Sequence, residues 1–118
     1  MHGRLNIGQV MSPPLIKQVK DLIHKDEVVI VDSPPGTSCP VIESIRGADY
    51  VLLVTEPTPF GLNDFRLAVE VVKALNIPYG VFINRSDIGN QNTEKFCEKN
   101  QIPVLSYLVD DRSIAEAY

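Results

Sequence analysis

The sequence predicts an α/β fold, with a mostly parallel sheet and helices on both of its faces. Short runs of β-branched and other apolar residues alternate along the chain with segments in which apolar residues recur at helical spacing. Connections from strand to helix to strand within one sheet are right-handed crossovers, which make the joined strands parallel. A length of 118 residues, 44% of them apolar, suits a single domain over residues 1–118.

The amino-terminal part is predicted to contain two helices and one strand. Residues 3–10 are weakly patterned and are expected to be coil or a short edge strand. Ser12 can cap a helix that has proline at its first position and that ends near residues 24–25. The β-branched run Val28–Asp32 predicts a strand buried on both faces. Residues 41–46 predict a short helix that ends at a glycine.

The carboxy-terminal part is predicted to contain three more strands, each followed by a helix. The strands are 50–55, 79–84 and 104–109, and the helices are 62–75, 93–99 and an incipient one from residue 113 to 118. Asp110 or Asp111 is expected to cap the last helix. The chain ends inside this helix pattern, which indicates a boundary within a longer protein.

Charge and cysteine usage exclude several classes of function. The net charge is -4 and no Lys/Arg cluster appears in the sequence, so nucleic acid is not expected as a partner. Cys39 and Cys97 are far apart and form neither a disulfide framework nor a zinc motif. The apolar runs are too short for a membrane span and no secretory leader is evident, so a cytoplasmic location is expected.

The loop that follows the first predicted strand carries the strongest chemical signal. A carboxylate such as Asp32, at the carboxyl end of a parallel strand, can hold a hydrated Mg²⁺. Pro35 stiffens the turn, and Gly36 leaves room for a phosphate oxygen to approach its N–H. The apolar run Val28–Val31 alone does not distinguish two roles for Asp32, a metal ligand and a simple cap of the loop.

Two further strand ends carry weaker signals. Asn84 can both donate to and accept from an adenine edge, but asparagine also starts many turns, and the residues alone favour the turn. Glu56 could act as a base, although a solvated loop carboxylate is the more ordinary interpretation. Asp110 and Asp111 are expected to be cap residues rather than metal ligands.

Three motifs occur together in an order typical of one family. They are Asp-Ser-Pro-Pro-Gly-Thr at 32–37, Gly-Ala-Asp with the following Val-Leu-Leu-Val-Thr-Glu-Pro at 47–57, and Phe-Ile-Asn-Arg at 82–85. With them the chain resembles the MinD/ParA-like P-loop ATPases, and especially the Mrp-like subgroup, many of whose members carry an inserted ferredoxin-like segment. The resemblance runs from about Leu5 to Tyr118.

The resemblance implies roles on two loops. Asp32 is similar to the Walker B aspartate, which holds Mg²⁺ through water, and Gly36 to the switch II glycine, with Pro35 before it. The implied cofactors are ATP and Mg²⁺, and an iron–sulfur cluster in an upstream segment.

The adenine side of the implied site comes from later strands. Asn84 is similar to the asparagine that reads adenine, with Arg85 beside it. Val109 and Asp110 belong to the segment whose backbone passes the base, although Val109 stands where the family usually has proline.

The family's amino-terminal phosphate loop, with its Lys-Gly-Gly-x-Gly-Lys-Ser/Thr sequence, is not found in these 118 residues. Nucleotide binding by this chain is therefore expected to be weak or absent, without useful ATP hydrolysis. In the family, the strand of that loop lies between the strands similar to 28–32 and 50–55. Without that strand, two apolar strand edges would lack a neighbour. Self-association is therefore expected, as a homodimer, with strand swapping as one way to form it. The alternative is a small α/β interaction protein that self-associates and hydrolyses nothing.

Overall fold

A computed structural model describes residues 12–24 and 26–117, and the chain falls into two compact units, Met1–Ala48 and Asp49–Tyr118. The expectation for residues 3–10 lies outside the described residues, as does the last position of the carboxy-terminal helix. Within the described residues, no helix is both long enough and apolar enough to cross a membrane.

The first unit contains two helices, α1 (Ser12–Asp21) and α2 (Cys39–Ile45). Both were predicted from the sequence, although α1 ends earlier than expected. Lys20 joins them, because its Nζ donates to the carbonyl of Glu43 at 3.0 Å and to that of Arg46. These carbonyls lie at the carboxyl end of α2, where the helix has no N–H donors of its own to offer them.

The prediction of a strand over Val28–Asp32 is wrong, because these residues do not form a strand. Their side chains are also not buried, since Val28 is 98% and Ile30 91% exposed. An extended segment becomes a strand only when a neighbour supplies backbone hydrogen bonds. The sheet in the described residues consists of strands from the second unit only, and residues 28–32 are not among them.

The second unit contains a three-stranded parallel sheet of β1 (Val51–Thr55), β2 (Tyr79–Asn84) and β3 (Val104–Leu108), in the order β1-β2-β3. The register aligns Val51 with Tyr79 and Thr55 with Ile83. The pairing of β2 with β3 is irregular after Val81. The α/β class with a parallel sheet is thereby confirmed, and it corresponds to part of a P-loop-like fold.

Three helices follow the strands: α3 (Pro59–Ala74), α4 (Asn92–Lys99) and α5 (Arg112–Glu116). Thr58 begins α3, because its hydroxyl accepts the N–H of Gly61 at 3.0 Å and the next residue is proline. The apolar stripe of α3 predicted from the sequence is buried, as Phe65 and Val69 are 3% and 2% exposed. The core of this unit joins α3, β2 and α4 and consists of Leu62, Phe65, Val69, Val81, Ile83, Cys97 and Ile102.

Candidate functional site

The loops after β1, β2 and β3 meet through one arginine. Arg85 follows β2, and its Nη1 lies 3.7 Å from Oε1 of Glu56 after β1. Its Nε lies 3.3 Å from Oδ1 of Asp110 after β3. The Nε contact is an ion pair rather than a hydrogen bond, because this buried nitrogen has no hydrogen-bond partner among the described residues. Arg85 thus lies between the carboxyl ends of three parallel strands, where α/β proteins bind ligands.

Arg85 has a backbone conformation that L-residues seldom adopt, with φ of 51°. Hydrogen bonds fix the loop around it. Ser86 N–H donates to the carbonyl of Leu108 at 2.8 Å, and the N–H of Asp110 donates to Oδ1 of Asp87 at 2.6 Å. The loop after β2 is therefore attached to the loop after β3 at two points, and such strained positions concentrate at functional sites.

A pocket of about 220 Å³ opens at this edge of the sheet. It is lined by Asn84, Arg85, Leu108, Val109, Asp110, Asp111, Ile114 and Ala115. Four of these are the residues that the sequence assigned to the adenine side, namely Asn84, Arg85, Val109 and Asp110, and the structure brings them together. The pocket combines one carboxamide and the charged side chains of Arg85, Asp110 and Asp111 with apolar side chains. Such a lining can contact both the faces and the polar edge of a flat heterocycle.

Asp111 rather than Asp110 caps α5. Its Oδ1 accepts from the N–H of Ser113 at 2.9 Å and from the Ser113 hydroxyl at 2.7 Å. These hydrogen bonds favour the ionised carboxylate and lower the pKa of Asp111 below its usual value. The cap sets where α5 begins, and α5 contributes Ile114 and Ala115 to the wall of the pocket.

Sequence reasoning missed several residues that shape this site. The sequence favours a solvated loop carboxylate at Glu56, whereas the structure pairs it with Arg85. Asp87 and the apolar residues of α5 were not singled out. The available signal was the polar Asn-Arg-Ser-Asp sequence directly after a strand, which is typical of a loop held by side-chain hydrogen bonds.

The remaining predicted residues lie on one loop of the first unit. Asp32 and Pro35 are exposed there. Ser33 attaches the loop to α2, since its hydroxyl lies 2.5 Å from that of Ser44, which donates to the carbonyl of Val41 at 2.7 Å.

Gly36 on the same loop has φ of 96°, a conformation that favours glycine. No described atom lies within 4 Å of the position that a Cβ would take. Gly36 is exposed, and the space beside its backbone is open.

No metal cluster is preformed in the part of the chain that the structure describes: no group of three or more His, Cys, Asp or Glu residues is placed to hold an ion. A lone carboxylate such as Asp32 fits a water-mediated contact to Mg²⁺, which keeps several waters and takes phosphate oxygens as its other ligands.

Comparison with known proteins gives a consistent but partial result. Over 90 residues the chain is 40% identical to an uncharacterized protein of Methanocaldococcus jannaschii, covering 75% of this chain and 34% of that protein. Over 127 aligned positions it is 28% identical to a Pyrococcus horikoshii protein named iron–sulfur cluster carrier protein, covering 90% of this chain and 43% of the relative. A further M. jannaschii protein, named as an uncharacterized ATP-binding protein, is 26% identical and is covered to 39%.

These similarities support a distant relationship to P-loop ATPases. The chain spans between 33% and 43% of the length of the curated relatives it matches. No family model and no solved structure matches it.

Proposed function

We propose that the second unit provides the adenine-binding part of an ATP-binding protein related to the MinD-like ATPases. The observation that carries the proposal is the pocket in which Asn84, Arg85, Val109 and Asp110 meet at the carboxyl edge of the sheet. The two named groups of relatives, iron–sulfur cluster carriers and an ATP-binding protein, support the same assignment.

The chemistry of the pocket favours a base over a whole nucleotide. A volume of about 220 Å³ is below the range of roughly 300–1,000 Å³ that complete small-molecule sites occupy. Asn84 offers a donor and an acceptor side by side, which matches the amino group and ring nitrogen of adenine. Leu108, Val109 and Ile114 provide apolar surface for the faces of the ring.

The phosphate side of the function is assigned to the loop of the first unit. In this proposal Asp32 holds the water shell of Mg²⁺, and Gly36 presents its N–H to a phosphate oxygen. Magnesium would supply charge neutralisation at the phosphates. The longer protein would couple ATP binding and hydrolysis to the handling of an iron–sulfur cluster. In support, the Pyrococcus relatives are named iron–sulfur cluster carriers and an M. jannaschii relative is named an ATP-binding protein.

Titration of the chain with adenosine and guanosine nucleotides, followed by two-dimensional NMR, tests the base site. We expect ATP and AMP to shift the amide signals of residues 84–86 and 108–111 with similar weak affinity, because the base supplies most of the contact. The variant Asn84→Ala should weaken adenosine binding roughly tenfold and abolish the preference over guanosine.

Asn63→Ala is the matched control, since Asn63 is exposed on α3 and lies outside the pocket. It should bind adenosine nucleotides like the unmodified chain. Equal affinity of the Asn84 variant and the unmodified chain for AMP would remove Asn84 from the base site.

Self-association is a second candidate function, favoured by a separate observation. In the sheet of the described residues β1 is an edge strand, and its residues Leu52 and Val54 are 53% and 64% exposed. The exposed β-branched run Val28–Val31 is an unpaired segment of the same kind. We propose that a second copy of the chain supplies a strand to this edge, because exposed apolar edges recruit further strands. Light scattering over a range of protein concentrations tests this proposal, and a monomer at all concentrations would refute it.

A further inference from the structure

A second concave surface lies on the helical side of the second unit. It is a groove of about 470 Å³ between α3 and α4, and we refer to it as the basic groove. Leu62 and Arg66 line it from α3, and Asn92, Lys95, Phe96 and Lys99 line it from α4. None of these residues lines the pocket at the edge of the sheet.

The groove residues share one face of each helix. Leu62 and Arg66 are four residues apart, and the α4 residues fall at i, i+3, i+4 and i+7. Phe96 is fixed from below by Phe65, with ring centroids 5.6 Å apart in an edge-to-face arrangement. Arg66 is fixed above it, its guanidinium carbon 5.2 Å from the Phe96 ring centroid. The apolar floor and one cation are thus held in place before any ligand arrives.

Within residues 12–24 and 26–117, no ion pair is found for the three cations of the groove. The ion pairs found among the described residues involve Arg85 and Arg112, and none involves Arg66, Lys95 or Lys99. Lys95 and Lys99 lie one helical turn apart, where like charges repel. The chain as a whole has 15 acidic and 11 basic residues, so this concentration of positive charge stands against the overall balance. A negatively charged occupant would relieve the repulsion.

We propose that the basic groove binds an acidic segment of a partner protein that also carries apolar side chains. Apolar side chains of the segment would contact Leu62 and Phe96, and its carboxylates would pair with Lys95 and Lys99. Ammonium groups one turn apart match carboxylates one turn apart on a helix, and a groove between two helices is a common seat for an amphipathic helix. Nucleic acid fits less well, because of the excess of carboxylates in the chain.

Fluorescence anisotropy with a labelled amphipathic peptide tests the proposal. The probe is a helical peptide in which two glutamates are spaced i, i+4 and two leucines are spaced i, i+4. We expect it to bind the unmodified chain, with an affinity that falls as the salt concentration rises. The double variant Lys95→Gln/Lys99→Gln should weaken binding by roughly tenfold or more.

The matched control is Lys17→Gln/Lys73→Gln, which removes the same charge from exposed lysines outside the groove. It should bind the peptide like the unmodified chain, and circular dichroism verifies that both variants fold. A second variant, Arg66→Gln, should weaken binding independently of the lysines.

Three results of the peptide experiments would overturn the proposal. These are no binding of the acidic peptide, an equal loss in the groove and control variants, and equal binding of a peptide with lysine in place of glutamate. Binding of inorganic pyrophosphate at the groove without binding of the peptide would also overturn it, in favour of a small-anion site. Nucleotide binding at the edge pocket is unaffected by any of these outcomes, so the two proposals fail separately.

Discussion

Arg85 combines a strained backbone conformation with ion pairs to residues that are distant in the sequence. A left-handed conformation at a residue other than glycine costs on the order of 1–3 kcal/mol, so surrounding contacts must hold it. The carboxylates of Glu56 and Asp110 provide such contacts from the two neighbouring loops. Glycine would remove the strain but also the charge that joins the loops. The strained arginine thus stands at a position from which it reaches both carboxylates.

The two cysteines are expected to differ sharply in reactivity. Cys39 is exposed and Cys97 is buried, and both are free thiols. Burial, with Glu94 and Glu98 nearby, raises the pKa of Cys97 to about 11, so its thiol stays protonated at neutral pH. Iodoacetamide at pH 8 should modify Cys39 only, with Cys97 reacting after unfolding, as mass spectrometry would show. In Cys39→Ser the folded chain should take up no label, and rapid labelling of that variant would contradict the assignment.

The same pKa shift predicts how stability changes at alkaline pH. Because Cys97 titrates at a higher pH in the folded state, the unfolded state loses this proton first as the pH rises above about 9. The free energy of unfolding should therefore fall between pH 9 and pH 11. Urea denaturation across this range measures the slope. Cys97→Val, which has no thiol to ionise, should show a smaller fall, and an identical slope would exclude Cys97 as the cause.

Loop packing around the sheet edge depends on Gly89. With φ of 74°, a Cβ at this position would lie 1.7 Å from the carbonyl oxygen of Pro57, which itself accepts the N–H of Asn90 at 2.9 Å. Gly89→Ala should destabilise the chain by about 2 kcal/mol or more, since backbone must move as well as adopt a strained φ. Gly47→Ala is the control: its φ of 78° is similar, but no described atom lies within 4 Å of the added carbon.

Urea denaturation followed by far-ultraviolet circular dichroism measures both glycine variants. The difference between them isolates the cost of the collision with Pro57 from the cost of the backbone conformation. Equal destabilisation of the two variants would show that the loops after β1 and β2 are free to separate.

The helices and strands of the second unit were predictable from the sequence, because each strand pairs with another strand of the same unit. The predicted strand 79–84 coincides with β2, and the helix predicted over 93–99 differs from α4 by one residue. The run 28–32 has the strongest β pattern in the chain but no strand among the described residues, because the pattern cannot tell whether a neighbour is present. The position of Asn84 at the end of a strand was predictable, and its contact with adenine stays a prediction. The Arg85 ion pairs were not predictable, because they join residues 29 and 25 positions apart in the sequence.

At the scale of the whole molecule, we expect the exposed β-branched run Val28–Val31 to govern self-association at high concentration. Val28 and Ile30 are almost fully exposed, and a β-branched run of this kind favours pairing with another strand. If a second copy uses it, the mass measured by light scattering should rise with concentration to that of a dimer or larger species. The variant Val28→Lys/Ile30→Lys should remain a monomer, because charges on an edge strand oppose pairing.

The control for that variant replaces two exposed leucines outside the strand segments. Leu22 and Leu67 are 60% and 44% exposed, so Leu22→Lys/Leu67→Lys makes the same change of charge at apolar positions that are less exposed than Val28 and Ile30. We expect the control to associate like the unmodified chain. Loss of association in both variants would mean that general apolar surface drives it, and loss in neither would place the contact elsewhere. Only loss confined to the Val28→Lys/Ile30→Lys variant supports strand pairing, because that pairing alone needs an extended segment with free backbone groups.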